Sequence, residues 1–344
     1  MPAYGATPNL RWQSLHADHA KCWSDLTLVE ARADGVRQAY SASQLEQILT
    51  SANFNPAAQT VGVWRDQDLV AASVIWPGEE PRFDGLGEIE ITLSVDPRHR
   101  GQGIEESLLT LCEALGALAA KRFLPARYVF RVEDHSQHSW KKELLSSRQY
   151  SLNRTFHVME RRTGAQISGS RPEPPAGVVV CDASLVPIEG IRVAHNAAFS
   201  QHWGSSPVSV DRWTQTMRLT STRLDLSRVA LDSNNQVLSY ALVGQFAPHE
   251  LHVLLVGTRP QHQGRGLGRA VLSEVLQLAD GDPSITKVVI EVDSDRESPA
   301  SGLYMSLGFK VVSAHCAYEK LCGPPLDTPD DTPESKDQES PDNV

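Results

Sequence analysis

The segments Pro97-Arg-His-Arg-Gly-Gln-Gly-Ile104 and Pro260-Gln-His-Gln-Gly-Arg-Gly-Leu267 are one pattern written twice, 163 residues apart. In that register Pro97 falls on Pro260, His99 on His262, Arg100 on Gln263, Gly101 on Gly264 and Gly103 on Gly266. An apolar stripe at helical spacing follows each turn: Ile104, Leu108, Leu111, Leu115 and Leu118 in one copy, and Leu267, Val271, Val275 and Leu278 in the other. Apolar strands precede both, Ile89–Val95 and Leu254–Val256. A period this long is that of a whole domain, not of a solenoid unit. The 344 residues divide into two domains of ordinary size, each able to bury a core.

Composition marks the boundaries. Thr163 to Gly177 is rich in Gly, Pro and Ser and has no periodicity, so residues 164–176 read as an extended linker between domains at 8–163 and 177–321. The remaining stretch, 322–344, reads as a disordered acidic tail. It carries seven acids against Lys336, which accounts for −6 of the formal net charge of −10. Without it the folded part is only mildly acidic, which argues against nucleic acid or an anionic membrane as the main partner. The five cysteines are scattered, and no CxxC pair or histidine cluster has metal-ligand spacing, so no metal is expected. No signal-like start and no apolar run near twenty residues occurs, which makes a reducing cytoplasm the default, with the chain a monomer or homodimer.

The later turn carries the chemistry. Leu254-Leu-Val256 reads as a strand, Gln263-Gly-Arg-Gly-Leu-Gly268 as a glycine-rich turn, and Leu267 onward as a helix. A helix that starts with little side-chain bulk points free N–H groups and a positive dipole end at one spot, which suits a phosphate. A dinucleotide fold would place its glycines after the first strand, and a nucleotidase loop would need G-K-[ST], which is absent. The Q/R-x-x-G-x-G/A pattern resembles the pyrophosphate loop of the GCN5-related N-acetyltransferases (GNAT). Downstream, strand Thr286–Val292, a polar break at Asp293–Pro299 and the run Ala300-Ser-Gly-Leu-Tyr-Met-Ser-Leu-Gly-Phe309 resemble that family's A-x-x-L-Y-x-x-L-G-F helix.

The resemblance implies a mixed α/β (α+β) chain of two tandem GNAT domains, each a central, mostly antiparallel twisted sheet flanked by helices. It implies acetyl-CoA as co-substrate. It assigns the backbone of Val256 and Thr258 to the pantetheine arm, and Gln263, Gly264, Arg265, Gly266, Leu267, Gly268, Arg269 and Ala270 to the pyrophosphate. The asparagine that the family often places in the polar break is Arg296 here, leaving Ser298 as its substitute.

The two copies are not equivalent. Glu105 stands where the later copy has Gly268. A carboxylate about 5 Å from a pyrophosphate, at an effective dielectric near 20, costs about 3 kcal/mol, more than a hundredfold in affinity. Leu145 stands where Tyr304 sits, and Gln149 where Gly308 sits. The first domain therefore reads as a degenerate copy and the second as the catalytic one.

Acyl transfer to an amine needs a base for the amine proton, a donor for the developing oxyanion and an acid for the leaving thiolate. Tyr304 suits the acid, since a phenol near pKa 10 can protonate a thiolate. His252 lies eleven residues before Gln263, where the family places its strand-borne base, and Glu250 shares its face of the strand. Either residue, or neither, is the base. The run Ala194–Val208 resembles an N-x-A-F-x-x-H-W-G segment of tandem actinobacterial acetyltransferases. Its Asn196, His202 and Trp203 are expected to bind the acceptor, with Phe199 and Trp203 as one core face the alternative. The expected activity is transfer of acetyl from acetyl-CoA to a small-molecule amine by direct attack in a ternary complex. The rivals are a non-catalytic acyl-CoA-binding module and a protein or peptide N-acetyltransferase.

Overall fold

The computed structural model describes residues 10–36, 40–123, 125–135, 140–165, 173–294 and 299–324. Part of the expected linker, the acidic tail from residue 325 on, and Ser298 lie outside the described residues. The first half runs β1 (Leu10–Gln13), α1 (Ala20–Asp34), α2 (Ala42–Leu49), α3 (Pro56–Gln59), β2 (Thr60–Arg65), β3 (Asp68–Pro77), β4 (Gly87–Val95), α4 (Ile104–Phe123), β5 (Tyr128–Asp134), α5 (Trp140–Ser147) and β6 (Ser151–Arg162). The second runs β7 (Val179–Asp182), α6 (Ile188–Ala198), α7 (Val210–Met217), β8 (Arg228–Leu231), β9 (Val237–Ala247), β10 (Glu250–Thr258), α8 (Leu267–Gly281), β11 (Lys287–Asp293), α9 (Pro299–Ser306) and β12 (Lys310–Cys322).

These strands form one sheet in the order β1-β2-β3-β4-β5-β12-β6-β11-β10-β9-β8-β7. Neighbours are antiparallel except β4–β5 and β10–β11. Side-chain alternation gives each half two cores, one on either face of the sheet. In the first half Ile89, Ile91, Leu93 and Val95 pack with α4, while Ala72 and Val74 pack with α1 and α2. In the second, Val243, Leu251 and Val253 pack with α8, while Tyr240, Leu242 and Leu255 pack with α6 and α7. The apolar stripe expected along α4 does not run its full length. Leu109 and Cys112 enter the core instead, and Leu118 is 59% exposed near the end of this 20-residue helix.

Each half ends in a long strand and gives that strand to the other. β12 pairs with β5, from Cys316↔Asp134 to Cys322↔Tyr128. β6 pairs with β11, from Lys287↔Arg162 to Asp293↔Phe156. The two exchanged strands pair with each other at the centre of the sheet. Residues 8–163 and 177–321 are thus contiguous in sequence but not in packing: Tyr318 is buried in the first half's core and Met159 in the second's. Buried charges hold the exchange. The Arg161 guanidinium of β6 meets both carboxylate oxygens of Asp280 at 2.8 and 2.9 Å and donates to the carbonyls of Leu307 (3.0 Å) and Ala165 (2.7 Å). Buried Arg82, between β3 and β4, meets Glu319 of β12 at 2.7 Å.

Candidate active site

β10 and β11 lie side by side only from Glu250↔Lys287 to Val253↔Ile290. Beyond Val253 they part, and among the described residues no strand lies beside the edge of β10 that faced β11. At the same point the ladder with β9 slips. Val253 pairs with Val243 and Leu255 with Leu242, so Leu254 is an extra residue, and such a bulge bends the strand and re-aims its peptides. The open edge includes Val256 and runs to Thr258, whose hydroxyl pairs with that of Ser239 at 2.8 Å.

The turn that follows lies at the mouth of this wedge. Gly264 and Gly266 have φ of +71° and +77°, the left-handed region that favours glycine. Gly266 is the N-cap of α8 and supplies no side-chain cap. Among the described residues the backbone N–H groups of Gly264, Arg265, Gly266, Leu267 and Gly268 make no hydrogen bond; Ala270 is the first to bond back, to Gly266 O at 2.9 Å. Five bare amides at the positive end of a 15-residue helix form an anion cradle. Gln263 folds back onto the Thr258 carbonyl at 3.2 Å, and Arg269 is held by the Ser306 hydroxyl at 2.5 Å. Gly268 is not demanded by the backbone, since a Cβ there would meet Thr258 Oγ1 at an ordinary 3.5 Å. What matters at that position is a side chain large or charged enough to fill the cradle.

Glu250 and His252 are brought together. His252 Nε2 and Glu250 Oε1 are 2.5 Å apart, and the second carboxylate oxygen takes Lys287 Nζ at 2.7 Å. Glu250 is buried, His252 is half-buried, and the ring of Phe246 stands against the imidazole at 5.3 Å between centroids, near perpendicular. With Nε2–H donated to Glu250, the lone pair of the imidazole resides on Nδ1. No motif or spacing in the sequence points to Lys287, because strand pairing alone brings it to Glu250. Tyr304 on α9 is buried beside Phe309, and burial pushes its phenol up to about 12. Its hydroxyl makes no hydrogen bond within the described residues.

The first half has the same frame with its cradle filled. β4 and β5 pair only from Gly87↔Tyr128 to Glu90↔Arg131, and Gly101 and Gly103 again have positive φ. Here, however, Glu105 Oε1 accepts the N–H of Gly101 at 2.6 Å, and its carboxylate is buried with Oε2 unpartnered. The ladder of β3 with β4 has no slip. Gln149 takes φ +67° where Gly308 takes +89°, and Leu145 fills the place of Tyr304 as core. Counting along the ladders from Val95↔Ala71 and Thr258↔Ser239, Glu90 (opposite Trp76) occupies the place of His252 (opposite Gly244). A fixed 163-residue offset hides this equivalence, because the bulge adds one residue to β10. Burial, reinforced by the charge of Glu133 and opposed by Arg131, holds the Glu90 carboxyl up to about 7.

Residues 188–309 match the acetyltransferase (GNAT) family. The second half is a GNAT domain. Mycothiol acetyltransferase of Pseudarthrobacter chlorophenolicus is 27% identical over 299 residues, covering 83% of this chain and 82% of that protein. A GCN5-related N-acetyltransferase from Sphaerobacter thermophilus shares the fold with a TM-score of 0.73, at 20% identity over 94% of this chain and 99% of that one. A tandem GNAT protein from the clavulanic acid biosynthesis pathway does so with a TM-score of 0.67, at 16% identity over 92% and 99%. The chain is thus an enzyme of the N-acetyltransferase class, and it has the fold of a tandem GNAT protein. Among the described residues no helix is long and apolar enough to cross a membrane.

A cavity of about 1220 Å³ separates the GNAT domain from the first half. Trp76, Glu88 and Glu90 form part of one wall and Arg212, Thr216 and Phe246 part of the other, so Phe246 links the cavity to His252. The residues expected to bind the acceptor do not line it. Asn196 is committed to its own loop, donating to Val208 O at 3.2 Å and accepting from Val208 N at 3.0 Å. His202 Nδ1 sits 3.0 Å from the Trp203 carbonyl. Trp203 carries the guanidinium groups of Arg154, Arg131 and Arg82 at 4.8, 5.1 and 5.3 Å from its ring centroid. It anchors the loop between α6 and α7 to the other half.

Proposed function

We propose that the GNAT domain transfers an acetyl group from acetyl-CoA to the amine of a small molecule by direct attack in a ternary complex. The observation that carries this reading is the contrast between the two cradles: bare amides from Gly264 to Gly268 in one, the Glu105 carboxylate in the other. The bare amides would hold the coenzyme's pyrophosphate, and the open edge of β10 through Val256 and Thr258 would hold its pantetheine arm. The coenzyme supplies an acetyl thioester. His252, oriented by Glu250, takes a proton from the acceptor amine through Nδ1, directly or through water. A peptide N–H re-aimed at the Leu254 bulge would supply the donor for the charge that develops on the acetyl oxygen. Tyr304 returns a proton to the departing thiolate, and with its phenol near 12 it stays protonated throughout the working pH range.

A small-molecule acceptor is supported by a relative named for mycothiol that aligns over 83% of the chain, and by a cavity between the halves large enough for a small molecule. The test is thiol release from acetyl-CoA over a panel of small amines and Lys-rich peptides. Turnover with a small amine, lost in His252→Ala, is expected. Tight coenzyme binding without turnover for any amine would make the domain a binding module, and turnover confined to peptides would replace the acceptor class.

A further inference from the structure

Cys and His spacing in the sequence offers no metal site, yet the strand exchange brings two histidines and a carboxylate together. We propose that Glu133, His135 and His315 bind a divalent transition-metal ion, with zinc(II) the best fit, and that the ion fastens the exchanged strand β12 to the first half. Glu133 lies on β5, His135 follows that strand, and His315 comes from β12, so 180 residues of sequence separate the two imidazoles. One ligand atom from each of the three residues lies within 4.8 Å of the others. Glu133 Oε2 is 3.4 Å from His135 Nε2 and 3.9 Å from His315 Nε2. A tetrahedral ion with bonds of about 2.0–2.1 Å sets its ligands about 3.4 Å apart, so Glu133 and His135 already stand at that spacing and His315 has to close on Glu133 by about half an ångström. Glu291 Oε2 on β11, 3.9 Å from His315 Nε2, is the nearest further oxygen.

The gap is otherwise unexplained. His315 is 3% exposed, its Nδ1 is buried with no partner among the described residues, and the two carboxylates that face Nε2 are beyond hydrogen-bond reach. A buried imidazole in that state is disfavoured unless something occupies the space between the groups. The Glu133 carboxylate is held by Arg131 through Oε1 at 2.5 Å, which leaves Oε2 directed to both histidines. The two rings stack at 4.1 Å between centroids. Two imidazole nitrogens with one or two carboxylates suit zinc, cobalt or nickel, whereas calcium and magnesium require a shell of oxygens.

The experiment uses the untagged full-length chain, stripped with chelator and titrated with zinc chloride by calorimetry and with cobalt(II) by absorption. One saturable site per chain, the intense visible bands of a tetrahedral cobalt complex and a zinc-dependent rise in melting temperature are expected. His135→Ala is largely exposed and should fold. It should weaken zinc by about a hundredfold or more, since even the outer-shell partners of metal ligands are worth 10–100-fold. Glu133→Gln should do the same, and His16→Ala, a surface control, should not. Absence of a saturable site in the wild-type chain overturns the proposal. So does zinc affinity unchanged in both His135→Ala and Glu133→Gln.

Discussion

Glu90 offers a test of the electrostatics of the inter-half cavity that does not depend on knowing the substrate. Its carboxyl is held up to about 7 from an ordinary 4.5, first by burial and then by the charge of Glu133, with Arg131 opposing. The folded protein therefore binds a proton there that the unfolded chain has already released, and stability falls as pH rises through that window. The sign is fixed: this contribution is complete below pH 4.5 and gone above about 7. At about 1.4 kcal/mol per pH unit the interval amounts to about 3 kcal/mol, a ceiling because Glu90 keeps some solvent contact. Glu90→Gln replaces the titrating group with a neutral one of the same shape. With about 0.6 kcal/mol/K of unfolding entropy for about 300 ordered residues, the variant should melt up to about 5 °C higher than wild type at pH 8. It should match wild type at pH 4.5. Scanning calorimetry at pH 4.5, 6, 7 and 8 provides the series. An offset between variant and wild type that is the same at every pH would refute the reasoning, because it would mean that Glu90 does not titrate in that interval.

Tyr304→Phe should lower kcat strongly and leave the KM for acetyl-CoA nearly unchanged; equal losses in both would make Tyr304 a structural residue of the α9 core. Glu105→Gly should empty the first cradle, relieve a repulsion of about 3 kcal/mol, and raise coenzyme stoichiometry from one towards two per chain in calorimetry; a stoichiometry unchanged at one would show that other groups close that site. Arg161→Met should destabilise the chain by about 3 kcal/mol, because it strips a buried guanidinium from Asp280 and two carbonyls. A change below about 0.5 kcal/mol in denaturant unfolding would remove Arg161 as the lock on β6.

What the sequence made legible was local. The glycine turn, the strand before it and the start of α8 follow from spacing over a dozen residues and lie where that spacing put them; of the stripe, Leu267, Val271 and Val275 are core, while Leu276 and Ala279 are buried in place of Leu278. The inequality of the copies was also legible, because Glu105 against Gly268 is a difference at a single position. The strand exchange was not, since β6 and β12 carry the same alternation whichever sheet receives them. Composition places the linker between the halves, but only pairing shows that Met159 and Tyr318 have crossed it. The equivalence of Glu90 and His252 was hidden for a different reason: the one-residue bulge at Leu254 breaks the fixed offset. The contact of Trp203 with three arginines of the other half was not legible either, because a tryptophan with polar neighbours in a loop reads alike whatever it meets.

The exchange also gives a physical reason for keeping a half whose cradle is filled. β11, one side of the wedge proposed to hold the coenzyme, has β6 as its outer neighbour along all seven residues from Lys287 to Asp293. Without the first half, that edge would be unpaired, and β12, which follows directly from the helix bearing Tyr304, would lose β5. Arg161 reaches from β6 to the carbonyl of Leu307 at the end of that same helix, so the first half holds the backbone that positions the proposed acid. The second cradle therefore depends on the fold of the first half and not on its chemistry. That is how Glu105 can fill one cradle while the sheet around it stays intact.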